Sequence, residues 1–141
     1  MYHDLLEEAK EAGIKDIVIS LIVKAQDKLL LLENPVKPGD TDGLYVLPST
    51  RLKAQESISQ GIQRGLMEST GLDLKDVVAY LGYQDFRTTR EYTFVVIALD
   101  PYGVGPSDHI AYSWVNIGDA VGYPISDTLR QTLDLFEKLV S

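Results

Sequence analysis

Cysteine is absent from the chain, which excludes a disulfide framework, a thiol nucleophile and any thiolate-bound metal. Histidine is scarce: His3 and His109 are the only two. They have no companion ligands at metal spacing, and no Ser-His-Asp arrangement can be argued from them. Long hydrophobic runs are missing too. None approaches the ~20 residues needed to span a bilayer, and the opening MYHDLLEEAKEAG is charged and amphipathic, without a signal-peptide core. A cytoplasmic location is the expectation. Positive charge is also in short supply. Thirteen Lys and Arg against twenty-one Asp and Glu leave a net charge of −8, which repels nucleic acid polymers and anionic membranes at long range. A small phosphorylated ligand then needs a local basic pocket or a bound cation.

What is present suits one α+β domain over residues 1–141, since 141 residues can bury a sizeable core. Residues 1–13 predict an N-terminal helix with Leu5, Leu6, Ala9 and Ala12 on one stripe and Gly13 as the stop. DIVISLIV at 16–23 is a continuous β-branched run, the pattern of a strand buried on both faces. LLLLE is its hairpin partner, and NPVKPGDTDG at 34–43 is a loop. LYVLP predicts a short strand. In 55–69, Ile58, Ile62 and Leu66 give the core face of a helix that Gly71 closes. Long strands follow at 76–86 and 91–100, joined by the turn RTTR, and IAYSWVNI adds another. Pro124 and Ser126 open a helix over 124–140, striped by Leu129, Leu133, Phe136 and Val140. The β-rich order with its central and terminal helices predicts an α+β fold with the sheet between helices.

The central helix contains two glycines, Gly61 and Gly65, each costing about 1 kcal/mol relative to alanine. They lie one turn apart beside a lone carboxylate, Glu68. A strip of bare backbone permits close approach by a ligand, a strand or a second copy of the chain.

From Leu47 to Leu72 the chain reads LPSTRLKAQESISQGIQRGLMESTGL. This resembles the Nudix box, G-x5-E-x7-R-E-U-x-E-E-x-G-U with U aliphatic. Without gaps, Glu56, Arg64, Leu66, Glu68, Gly71 and Leu72 fall on six of its nine fixed positions. The departures are Thr50 for the opening glycine, Gly65 for the glutamate after the arginine, and Ser69 for the second of the paired glutamates. The resemblance covers roughly residues 15–140 and implies the Nudix fold, with 47–72 as a loop-helix-loop.

Nudix enzymes typically cleave a pyrophosphate within a nucleoside diphosphate linked to another group. Divalent cations neutralise the phosphates, and carboxylates on one helix face hold the cations. The resemblance therefore makes Glu68 the catalytic and metal residue, with Glu56 as a further metal ligand. Magnesium or manganese is the cofactor if the protein is active, and none need be held otherwise. At ~100° per residue, positions 65, 68 and 69 are expected to form one polar sector facing away from Ile58, Ile62 and Leu66. Here that sector has lost two charges, and a missing general base alone costs about 10²–10⁴-fold.

The resemblance thus implies a protein that binds a nucleotide or other pyrophosphate-containing metabolite and hydrolyses it weakly or not at all. Restoring Gly65→Glu and Ser69→Glu is expected to raise turnover. One alternative is an active pyrophosphohydrolase in which Glu56, Asp85 or Glu91 compensates. Another is a non-catalytic homodimeric module joined through exposed sheet or the glycine strip. Arg51, Arg87 and Arg90 are the candidate phosphate-binding side chains, because guanidinium forks match phosphate oxygens. Arg64 and Gly71 are expected to organise the box itself. Glu56 and Arg64, two turns apart on the helix, look too far apart for a direct i, i+4 pair. Tyr80, Tyr83, Tyr92 and Tyr112 read as core or cross-strand aromatics, and GVG at 103–105 as a turn. Substrate choice is expected to reside in loops 34–43 and 101–109.

Overall fold

β1 (Asp16–Ala25) organises the sheet, because its apolar run can be covered on both faces. It runs parallel to β6 (Thr89–Ala98) on one side and antiparallel to β4 (Ser49–Arg51) on the other. Its far end turns into β2 (Lys28–Glu33), which pairs with β3 (Tyr45–Val46) and β7 (Tyr112–Asn116). β5 (Leu74–Phe86) completes the sheet as the antiparallel partner of β6. The helices are α1 (His3–Glu11), α2 (Ile58–Thr70) and α3 (Asp127–Val140), with a 3-10 segment at Ile117–Gly122. The computed structural model describes residues 2–33, 44–103 and 111–140. The 34–43 loop, His109 and most of the 101–109 loop lie outside those residues.

Strand alternation sorts β1 into two faces. Ile17, Ile19, Leu21 and Val23 meet Tyr92, Phe94 and Val96 of β6 and the Ile58, Ile62 and Leu66 stripe of α2; α1 packs on the same side. Ile22 and Val95 face the other way, under Leu129, Leu133 and Phe136 of α3. The mixed sheet therefore lies between helices, as expected. Tyr80 and Tyr92 pack at a tilt within an aromatic cluster with Tyr2 and Phe94, which is the core reading.

Local chemistry sets the ends of α2. Ser57 Oγ accepts from Gln60 N, and the Gln60 side chain accepts from Ser57 N, a capping box. Gly71 supplies the left-handed C-cap, φ 75°, and its N–H donates to Met67 O. The helix therefore starts three residues later than 55, leaving Glu56 in the preceding loop.

The RTTR turn is also shorter than expected: only Arg87 and Thr88 turn, while Thr89 and Arg90 already belong to β6. Ala12 is exposed, off the buried stripe of α1. Among the described residues no helix is long and apolar enough to cross a membrane.

The glycines of α2 have a packing explanation. A Cβ at Gly61 would sit 2.5 Å from Leu52 Cδ1 and 3.0 Å from Ile19 Cδ1. A Cβ at Gly65 would fall inside contact distance of Thr50 Cγ2 and lie 2.9 Å from Thr50 Cβ. The helix lies so close to β4 and the residue after it that side chains from that segment fill the strip. Position 65 thus does not belong to a solvent-facing sector: Gly65 is buried and Ser69 half-buried, its hydroxyl donating to Gly65 O at 2.5 Å. Nor is the strip open to a ligand or a second copy of the chain.

Candidate functional site

Arg64 is the hub of the box. Its Nε donates to Glu56 Oε2 at 2.6 Å and its Nη2 to Glu56 Oε1 at 2.7 Å, a bidentate fork. The remaining donors reach Thr50 Oγ1 (2.9 Å), Glu68 Oε2 (3.0 Å) and the Arg51 carbonyl (2.9 Å). Because Glu56 sits in the loop, the chain folds back and the pair forms directly, against the expectation of too large a gap. The fork holds the Glu56 carboxyl below its ordinary range and raises Arg64, burial opposing both. Glu56 Oε1 also accepts from Lys53 N. Both of its oxygens are thus engaged by the protein, which leaves the side chain organising the loop.

Glu68 is half-exposed and has protein cations on both oxygens: Arg64 Nη1 at 3.0 Å and Lys53 Nζ at 3.8 Å. The candidate compensating acids lie elsewhere. Asp85 is gripped by Arg90 through two hydrogen bonds of 2.7 and 2.9 Å, which lower its pKa and raise that of Arg90. Glu91 alternates with Arg90 and Tyr92 and so faces the α3 side, across the sheet from α2. Among the described residues no three acidic or histidine side chains converge as a metal site.

The arginines divide. Arg51 is exposed, with only a long 3.4 Å contact to Asp16, and its guanidinium is free to meet a ligand. Arg87 is exposed at the turn, over the Phe86 ring. Arg90 is not available: it is buried, paired with Asp85 and stacked 4.0 Å from the Tyr83 ring centroid. Strand parity places it on the Tyr92 face, inward.

A second feature was missed in the sequence. On the α3 face, Ser49, Ser20 and Thr93 are register partners across β4, β1 and β6. This row of hydroxyls lines a hollow of about 230 Å³ that also holds Glu91, Thr128 and Thr132. A second hollow of about 330 Å³, lined by Phe86, Gln84 and Thr89, shares Glu91 and Thr128 with it. The signal was a lone polar residue inside each of two apolar strands, Ser20 in DIVISLIV and Thr93 in EYTFVVIA.

A family model, the NUDIX domain, matches residues 14–136. The chain belongs to the Nudix family. Its fold is similar to that of the E. coli ORF135 protein, with a TM-score of 0.73 at 20% identity over 93% of this chain and 94% of that one. It is also similar to a MutT structure from work on Aliivibrio salmonicida and Vibrio cholerae (0.71, 18%, 84% and 95%). A third is an ADP-ribose pyrophosphatase from Streptococcus suis (0.65, 16%, 85% and 87%). No curated protein matches the chain.

Nudix hydrolases generally use divalent metals. The box residues of this Nudix chain do not fit that role. Gly65 and Ser69 bring no carboxylate, the Thr50 methyl occupies the space beside position 65, and Arg64 and Lys53 already contact the two Glu68 oxygens. The other acid of the box, Glu56, has both oxygens taken by Arg64 and the Lys53 amide.

Proposed function

We propose that this Nudix protein binds a nucleotide or other pyrophosphate-containing metabolite and hydrolyses it weakly or not at all. One observation carries the reading: the position that would hold the carboxylate after Arg64 is a glycine whose space is filled by Thr50. The exchange is reciprocal, because the box's opening glycine has become the larger residue and its glutamate the smaller one. Such a pair keeps the helix seated while removing an acid from the place where cations must gather. The exposed guanidinium of Arg51 then supplies positive charge for phosphate oxygens. Arg87 is a more remote candidate.

The test is phosphate release from nucleotide sugars, dinucleoside polyphosphates and nucleoside triphosphates with magnesium or manganese, beside thermal shifts with the same ligands. Little turnover is expected, together with a rise in melting temperature; ligand at ~100 times its Kd adds about 2.7 kcal/mol. Gly65→Glu/Ser69→Glu alone should misfit, since Thr50 stands in the way, whereas adding Thr50→Gly should raise turnover. Rapid turnover by the unaltered protein, insensitive to Glu68→Ala, would refute the assignment.

A further inference from the structure

We propose that the open edge of the sheet, formed by β5 and the adjoining flank of α3, docks a second copy of this chain in antiparallel alignment. Apolar exposure is concentrated there. Of nine large hydrophobic side chains exposed among the described residues, Val78, Tyr83, Phe86, Leu135 and Leu139 are five. β5 ends the strand order, so no described strand covers its outer side. Leu135 shares a small hollow with Leu81 and Tyr83, which sets the α3 flank against this edge. Leu139 lies one turn further along the same flank, and Phe86 is 74% exposed. An apolar strip of this extent on a protein surface marks a docking site.

Charge says which partner fits. The chain carries −8 overall, and two copies repel one another wherever that charge is spread. From Asp73 to Arg90, however, three acidic and three basic side chains cancel, and VVAYLGYQ at 77–84 has no charge at all. The charges sit at the two ends of β5. About a two-fold axis at Tyr80, Lys75 falls opposite the second copy's Asp85, and Asp73 opposite its Arg87; such opposed pairs favour one alignment. Moving the axis one residue, to Leu81 or to Ala79, sets Lys75 against Arg87 or Asp73 against Asp85, like against like. The bulges of β5 preserve the match. Counted by partners on β6, Asp85 stands four rungs from Tyr80 and Lys75 between three and four on the other side. One edge thus complements itself at both ends, as an isologous interface requires.

The bulges also shape the contact. They break the ladder of the outer edge, which blunts open-ended strand addition, so side chains of β5 and α3 carry the association. The strip is about 34 Å long and about 15 Å across from α3 to Tyr83, about 500 Å² per copy. Two such faces bury about 1,000 Å², the low end for a specific complex, which makes the dimer weak and concentration-dependent. β6 and β1 separate this edge from β4, so the box stays accessible in the dimer.

Sedimentation velocity from micromolar to millimolar protein tests this surface. The mass should rise toward twice that of the chain. Leu135→Lys and, separately, Val78→Lys should each weaken association about ten-fold or more; both side chains are exposed in the single copy, so its core stays intact. Arg87→Glu should weaken it about five-fold at low salt by facing Asp73, and adding Asp73→Arg should restore it. A monomer at millimolar concentration would overturn the proposal, as would a dimer indifferent to both lysine substitutions. If Asp73→Arg/Arg87→Glu associates no better than Arg87→Glu alone, the antiparallel alignment is wrong. A monomer whose strip binds an apolar dye, with binding lost in Leu135→Lys, would give the surface a different occupant and refute the second copy.

Discussion

Adding a single methyl to Gly65 should reveal how tightly helix and strand are matched. In an open helix, Gly65→Ala would stabilise by about 1 kcal/mol through propensity alone. Here the new Cβ would overlap Thr50 Cγ2. Thr50 cannot easily swing away, because it is β-branched and stiff about χ1 and its hydroxyl accepts from Arg64 Nη1 at 2.9 Å. Overpacking of this kind costs about 1–3 kcal/mol, so the net change should be destabilising by about 1 kcal/mol. In a Thr50→Gly background both offending atoms are gone and the same change should stabilise by up to about 1 kcal/mol. The coupling energy of the cycle is then about 2 kcal/mol, within the range for residues in contact. Urea unfolding of the four proteins at matched m-value measures it. If Gly65→Ala stabilises equally in both backgrounds, Thr50 does not fill that space and the box retains room for a carboxylate.

Other predictions follow from the Arg64 hub. Arg64→Lys keeps the charge but loses the fork to Glu56 and the bonds to Thr50 and the Arg51 carbonyl, so it should destabilise by about 2–3 kcal/mol in denaturant unfolding. Glu56→Gln should flatten the acid side of the stability curve. The Glu56 carboxyl lies below its ordinary 4.5 in the folded protein, through its hydrogen bond to Arg64. Its contribution is therefore full above that ordinary value and is lost as pH falls through the lowered one. Unfolding midpoints measured from neutral pH downward should converge for the two proteins; a constant gap would show that the ion pair is not their source.

Much of the architecture was legible because periodicity reports burial. The Ile58, Ile62 and Leu66 stripe, the run DIVISLIV and the stripe of α3 each fixed an element and its inward face. β4 was not legible. Its three residues, Ser-Thr-Arg after Pro48, carry no pattern of their own and become a strand only by pairing with β1. Without β4 in view, the glycines of α2 had no visible occupant, and position 65 was assigned to a solvent-facing sector. The Glu56–Arg64 pair was hidden for a related reason: the capping box places Glu56 before the helix, so helical spacing does not govern their separation. Arg90 was recoverable in principle, since alternation with Tyr92, Phe94 and Val96 puts it inward once the turn is shortened to Arg87 and Thr88. Ser20 and Thr93 looked like tolerated polar residues in apolar strands, and only their register, which brings them side by side, makes a hollow of them.

Titration of manganese followed by electron paramagnetic resonance bears most directly on whether this box still gathers cations. The unaltered protein should leave the metal essentially free at micromolar concentrations, with Thr50→Gly/Gly65→Glu/Ser69→Glu binding it measurably. Tight manganese binding by the unaltered protein, abolished by Glu68→Ala, would contradict the claim that Thr50, Arg64 and Lys53 have closed the site.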